Sequence, residues 1–126
     1  MLTPMKTHPT SYPDKTREIS TTLGQLRRGQ PGVMHGFHQL SQSALEAGSV
    51  SAKTKELIAL ALGVAAHCDG CIGFHAKALV ALGASRAEIE ETLAVAVYMG
   101  GGPSLMYSAD ALTAFEQFQQ AAAQAA

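Results

Sequence analysis

Apolar residues recur along this chain at spacings of three and four, without the two-residue alternation of a half-buried strand. From Asp14 to about Arg28, Ile19, Leu23 and Leu26 share one helical face, and Gly29 follows as a stop. Pro31 suits the first turn of a second helix, running to about Ala47, whose stripe is Val33, Met34, Phe37, Leu40, Ala44 and Leu45. Ser51 is placed to cap a third helix, from Ala52 to about Ala66. Beyond Glu56 that helix is apolar nearly all round, which predicts burial on most of its sides. His67–Gly70 interrupts the pattern, and a fourth helix runs from about Asp69 to Leu82, with Gly83 after it. Ser85 and Glu88 form a capping-box pair that opens a fifth helix, through Tyr98. Gly100-Gly101-Gly102 breaks the chain, and Pro103 opens a sixth helix to about Gln120. The expected architecture is all-α, a single-domain bundle of about six helices with short connections. Residues 14–120 form the domain, 1–13 a mobile N-terminal arm and 121–126 a frayed tail.

Composition narrows what such a bundle does. The chain has 126 residues, enough for one domain. It is 47% hydrophobic and 15% charged, which excludes intrinsic disorder. A net charge of −1 gives no electrostatic pull toward nucleic acid or an anionic membrane, so neither is expected as a partner. Met1–Tyr12 contains Pro4 and Pro9 and lacks the apolar stretch of a signal peptide. The longest uncharged apolar run, Leu57–Ala66, is half of the ~20 residues that span a bilayer. The expectation is a cytoplasmic protein. A short chain has a large surface for its volume. Its apolar excess, with every alanine at or beyond Ala44, therefore predicts a closed homo-oligomer.

Two cysteines are too few to staple a secreted fold, and in the cytoplasm a CxxC pair points to redox chemistry or metal binding. Cys68 and Cys71 open the fourth helix three residues apart, a separation that suits a disulfide. His75 lies four residues beyond Cys71 on the same face. A helix start stabilises a thiolate through its free N–H groups and positive dipole end, and a histidine moves protons near neutral pH. In one straight helix Glu56 would sit ~18 Å from Cys68. If the chain reverses at His67–Gly70, Glu56 instead comes level with His75 to Ala78, and Glu56–His75–Cys71 becomes a proton relay. One feature opposes activation: Asp69 puts a carboxylate between the thiols, which tends to raise their pKa.

The pattern Glu56-x11-Cys68-x-x-Cys71-x3-His75 resembles the alkylhydroperoxidase D-like group of the carboxymuconolactone decarboxylase family. So do Lys55-Glu56-Leu57-Ile58-Ala59-Leu60 before it, Ala81-Leu82-Gly83-Ala84-Ser85 with Glu88-Ile89 and Glu91 after it, and the break at Met99–Pro103. The resemblance spans roughly residues 31–118. It implies a helical trimer or hexamer that reduces hydroperoxides. Cys71 would be the attacking thiol and Cys68 its resolving partner, with His75 and Glu56 handling protons. It also implies an external dithiol reductant, of lipoyl or thioredoxin type, and no metal or organic cofactor. The chain is shorter than many members and carries one motif, so a neighbouring subunit is expected to complete its site.

Other readings of these residues remain open at this point. The cysteines could be core packing, or zinc ligands with His75 and His67, although zinc sites usually draw their ligands from two separated pairs. The same family supports lactone decarboxylation by acid–base chemistry without a CxxC, and a non-enzymatic redox-sensing oligomer is a third alternative. His67 reads as a polar turn residue. His35 and His38, three apart on the second helix, read as surface or pocket-rim residues. Tyr98, Met99, Met106 and Tyr107 read as core or interface around the glycine break.

Overall fold

A computed structural model describes residues 11–125. It contains six helices: α1 Tyr12–Gly29, α2 Pro31–Leu45, α3 Ala52–Ala65, α4 Asp69–Ala81, α5 Arg86–Gly100 and α6 Gly102–Ala125. Among the described residues there are no strands.

The helix starts follow local chemistry. Ser51 Oγ accepts from the Thr54 N–H at 3.1 Å. Ser85 and Glu88 exchange the two bonds of a capping box, at 2.9 and 3.1 Å. Several ends differ from expectation, among them that of α5, which runs on to Gly100, and two differences matter most. α1 begins at Tyr12 instead of Asp14, because Ser11 caps it by accepting from the Asp14 N–H and Pro13 fits its first turn. Ser11, Tyr12 and Pro13 thus belong to the helix start, and residues 1–10 of the expected arm lie outside the described residues. α6 continues through Ala125, since alanine has the highest helix propensity and nothing after Gln120 stops the helix.

α4 is the central element. It packs against α1, α3 and α6, while α5 closes on α3 and α6. The core is built from Leu60 and Val64 of α3, Ile72, Ala76 and Leu79 of α4, Ile89 and Leu93 of α5, and Ala111, Phe115 and Phe118 of α6. These positions repeat at three and four, the spacing that puts one stripe of each helix inward.

Burial of α3 is narrower than its sequence suggests. Glu56, Leu60, Gly63 and Val64 are buried, but Ile58 and Leu62 are exposed, lining an open cleft that only the end of α2, at Ala44 and Leu45, borders among the other described helices. α2 buries none of its residues, and its apolar Val33, Phe37 and Leu40 lie on the surface. Tyr98, Met99 and Met106 are likewise exposed and are not core, whereas Tyr107 packs partly against it.

Two turns reverse the chain on either side of α4, and both use the same hydrogen bonds. After α3, the His67 N–H donates to Val64 O and the Cys68 N–H to Gly63 O, at 3.1 and 2.9 Å. After α4, the Gly83 N–H donates to Val80 O and the Ala84 N–H to Leu79 O, at 3.1 and 3.0 Å. Each is a Schellman motif, which needs a left-handed residue just past the helix. Gly83 supplies it at φ 74°. His67 supplies it at φ 55° and is the non-glycine residue with positive φ among those described.

Candidate redox site

The turn after α3 delivers Cys68 directly to the start of α4. Cys68 is at once the last residue of the Schellman motif and the N-cap of the next helix, and its Sγ accepts from the Cys71 N–H at 3.2 Å. Cys68 and Cys71 are joined as a disulfide with their Cα atoms 5.2 Å apart. Both are half-buried. The pair sits where free N–H groups and the helix dipole favour a thiolate once the bond is reduced.

Close approach of α3 to this turn depends on Gly63. A Cβ there would stand 3.1 Å from Cys71 Cβ, tighter than ordinary packing. The antiparallel path then brings Glu56 opposite His75, with His75 Nδ1 and Glu56 Oε2 2.6 Å apart. A carboxylate only accepts, so Nδ1–H is the donor and Nε2 is left as the exchangeable position of the ring. Glu56 is 12% exposed at its side chain and His75 26%, so the bond is sheltered yet the ring still reaches solvent. A carboxylate that orients an imidazole in this way fixes its tautomer and supports the charge it acquires as an acid–base.

On its other side, α4 meets α1. Both carboxylate oxygens of Asp69 are occupied: Tyr12 Oη donates to Oδ1 at 2.6 Å, and Lys15 Nζ forms an ion pair with Oδ2. Burial alone would raise the Asp69 carboxyl. The bonds from Lys15 and Tyr12, together with the Lys15 charge, outweigh it and hold the group below its usual range. Burial, followed by the Asp69 bond, pushes the Tyr12 phenol above its ordinary value. Tyr12 and Lys15 were not singled out as site residues from the sequence. Their signal lay in Ser11-Tyr12-Pro13-Asp14, a helix-start pattern that would have moved Tyr12 into the bundle.

His67 is exposed, and its ring stacks on Tyr107 of α6 with centroids 4.8 Å apart and planes 5° from parallel. His35 and His38 are exposed beside a shallow cleft with Arg27, Pro31 and Met34, away from this group. Among the described residues, no three of His, Cys, Asp and Glu are grouped to hold a metal ion. No helix among them is long and apolar enough to cross a membrane.

The sequence model of the carboxymuconolactone decarboxylase family matches residues 31–114. A crystal structure of a carboxymuconolactone decarboxylase family protein from Legionella pneumophila is 55% identical. It superposes with a TM-score of 0.84, covering 86% of this chain and 96% of that one. One from Thermotoga maritima, described as a family protein with a suggested involvement in antioxidative response, is 27% identical. Its TM-score is 0.79 over 88% of this chain and 95% of that one. An uncharacterized protein of Cupriavidus necator is 41% identical over 104 residues, 81% of this chain and 92% of its own length. With the family model matching two thirds of its residues and its fold shared along nearly its whole length, the chain belongs to the carboxymuconolactone decarboxylase family.

Proposed function

We propose that this protein is a thiol-dependent peroxidase that reduces hydroperoxides with its CxxC pair. The observation that carries this reading is the Glu56–His75 bond between antiparallel α3 and α4, with His75 on the helix whose start holds Cys68 and Cys71. A lactone decarboxylase would have no use for the cysteine pair.

The cycle uses this chain's thiols, the peroxide as oxidant and an external dithiol as reductant. The Cys71 thiolate attacks the distal peroxide oxygen, the O–O bond breaks, and the alkoxide leaving group takes a proton handled by His75. Cys71 is then a sulfenic acid. The Cys68 thiol condenses with it, forming the disulfide and releasing water. An external dithiol, of lipoyl or thioredoxin type, restores both thiols by exchange and leaves as its own disulfide. Glu56 holds the imidazole through the cycle. The cytoplasm, which keeps thiols reduced, suits this chemistry.

The reading is tested by counting thiols in the reduced protein before and after one equivalent of peroxide. Loss of both thiols is expected, and steady turnover with a dithiol donor should follow. Survival of both thiols would sink it. Disulfide formation without turnover would leave a redox sensor, and full lactone activity in a Cys68→Ser, Cys71→Ser variant would leave a decarboxylase. Mass spectrometry of peroxide-treated Cys68→Ser should find the sulfenic acid on Cys71.

We also propose that the chain works as a homo-oligomer, a trimer or hexamer. The uncovered apolar face of α2 and the exposed Tyr98, Met99 and Met106 support this. Light scattering should report a mass several times 13.1 kDa.

A further inference from the structure

A carboxylate between two reactive thiols is a liability, and the bundle answers it from a distant part of the chain. Asp69 follows Cys68 directly and lies two residues before Cys71, in the first turn of α4. Left alone, its charge would oppose a thiolate on either sulfur and compete for the same positive helix end. Lys15 and Tyr12, on the first turn of α1, bond its two oxygens. We propose that Lys15 and Tyr12 are positioning residues that act on the cysteine pair through Asp69: Lys15 offsets its charge, Tyr12 holds its other oxygen by a hydrogen bond, and together they keep the thiols acidic.

The placement of α1 is built, not incidental. Tyr12 is buried, and its backbone N–H donates to Gln117 Oε1 of α6 at 2.7 Å. Thr16, one turn on, is buried against α4, and its hydroxyl donates back to Tyr12 O at 3.0 Å. Gly73 of α4 makes room for this contact, since a Cβ there would stand 2.9 Å from Thr16 Cγ2 and 3.2 Å from Tyr12 Cδ1. These contacts fix the stem from which Lys15 reaches, and its ammonium also lies 4.8 Å from the centre of the Tyr12 ring.

The other ionisable groups around α4 do not offer the same cancellation. α3 contributes Glu56, already bonded to His75. α6 contributes Tyr107 and Asp110, both of which act electrostatically to keep the Tyr12 phenol protonated. His67, at the turn, is stacked on Tyr107. Lys15 is the cation that meets Asp69, and a protonated Tyr12 donates the second bond.

This inference rests on the CxxC being the reacting pair, and it is tested without peroxide. The reduced protein is titrated by thiolate absorbance at 240 nm. Lys15→Met keeps the apolar stem and should raise the lower thiol midpoint by about one pH unit. Lys15→Arg should restore it. In the double variant Lys15→Met, Asp69→Asn both charges are gone, and the midpoint should return close to that of the wild type. Tyr12→Phe keeps the buried ring, removes only the hydroxyl and should give a smaller rise in the same direction. A melting curve on each variant confirms that it is folded. An unchanged midpoint in folded Lys15→Met, or a raised midpoint that persists in the double variant, overturns the proposal. If Lys15→Met fails to fold, an unchanged midpoint in Tyr12→Phe overturns it. Peroxide turnover by the wild type is scored separately. A protein that consumes no peroxide but shows the charge-dependent midpoint refutes the peroxidase and keeps the inference.

Discussion

The turn after α3 and the turn after α4 close their helices with the same two backbone bonds, yet they are furnished in opposite ways. The second has glycine at the left-handed position, then Ala84, then Ser85 with a full capping box. Each residue there is the one local physics prefers. The first puts His67 in the left-handed position, where a residue with a Cβ costs roughly 1–2 kcal/mol. It then compresses the exit of one helix and the cap of the next into Cys68, whose sulfur is a weak acceptor. Equivalent positions inside the preceding helices differ too. Leu79 is a fully buried core residue, whereas Gly63 leaves a space that Cys71 fills. One turn is arranged for stability and the other to set a disulfide at a helix start, and departures from local rules gather at sites in this way.

The largest expected effect breaks the comparison where the first turn is used. Glu56→Gln keeps the shape of the side chain but removes the carboxylate that orients the His75 ring. Peroxide turnover in a steady-state assay should fall about 100-fold or more, while air oxidation still forms the disulfide. Next in size is Gly63→Val. Branched bulk at 3.1 Å from Cys71 Cβ should push α3 from α4 and cost about 1–3 kcal/mol in urea unfolding of the oxidised protein.

Exchanging the left-handed residues sharpens the contrast. Gly83→Ala should destabilise by about 1–2 kcal/mol. His67→Gly should have the opposite sign, a gain of no more than about 1 kcal/mol, because relief of the backbone is offset by loss of the Tyr107 stack and by a more flexible unfolded chain. Equal signs in the two unfolding curves would mean that the turns are not equivalent.

The smallest effect is on the acid limb. Asp69 is held below the usual carboxylate range when folded. Its contribution is therefore present above the unfolded pKa, about 3.9, and is lost as pH falls through the lower folded value. A pH series of melting temperatures should show Asp69→Asn nearest to wild type at the acid end and less stable toward neutral pH.

Much of this was legible in one dimension. Ser51, the Ser85–Glu88 pair and Gly83 mark helix ends because capping is settled within a few residues. The Glu56–His75 contact was legible because two antiparallel helices joined by a short turn have a countable register. The neutralisation of Asp69 was not. Tyr12 and Lys15 stand 57 and 54 residues away in sequence, and no local rule links them to the CxxC. The carboxylate therefore read as an obstacle to a reactive thiol. Burial of α3 is narrower than its pattern predicts for a related reason: an all-round apolar helix says that its surfaces are apolar, not that one chain covers them all.

The sequence by itself determined the six helices, their main stops and the spacing of Glu56, Cys68, Cys71 and His75, because helix periodicity and end chemistry act over a few residues. It settled the all-α class for the same reason. Only the tertiary structure decided that α1 lies across the start of α4. That docking pairs Asp69 with Lys15 and leaves the faces of α2 and α3 uncovered. Those outcomes depend on which surfaces meet across the bundle, and the electrostatics of a buried or half-buried charge belong to all the groups around it.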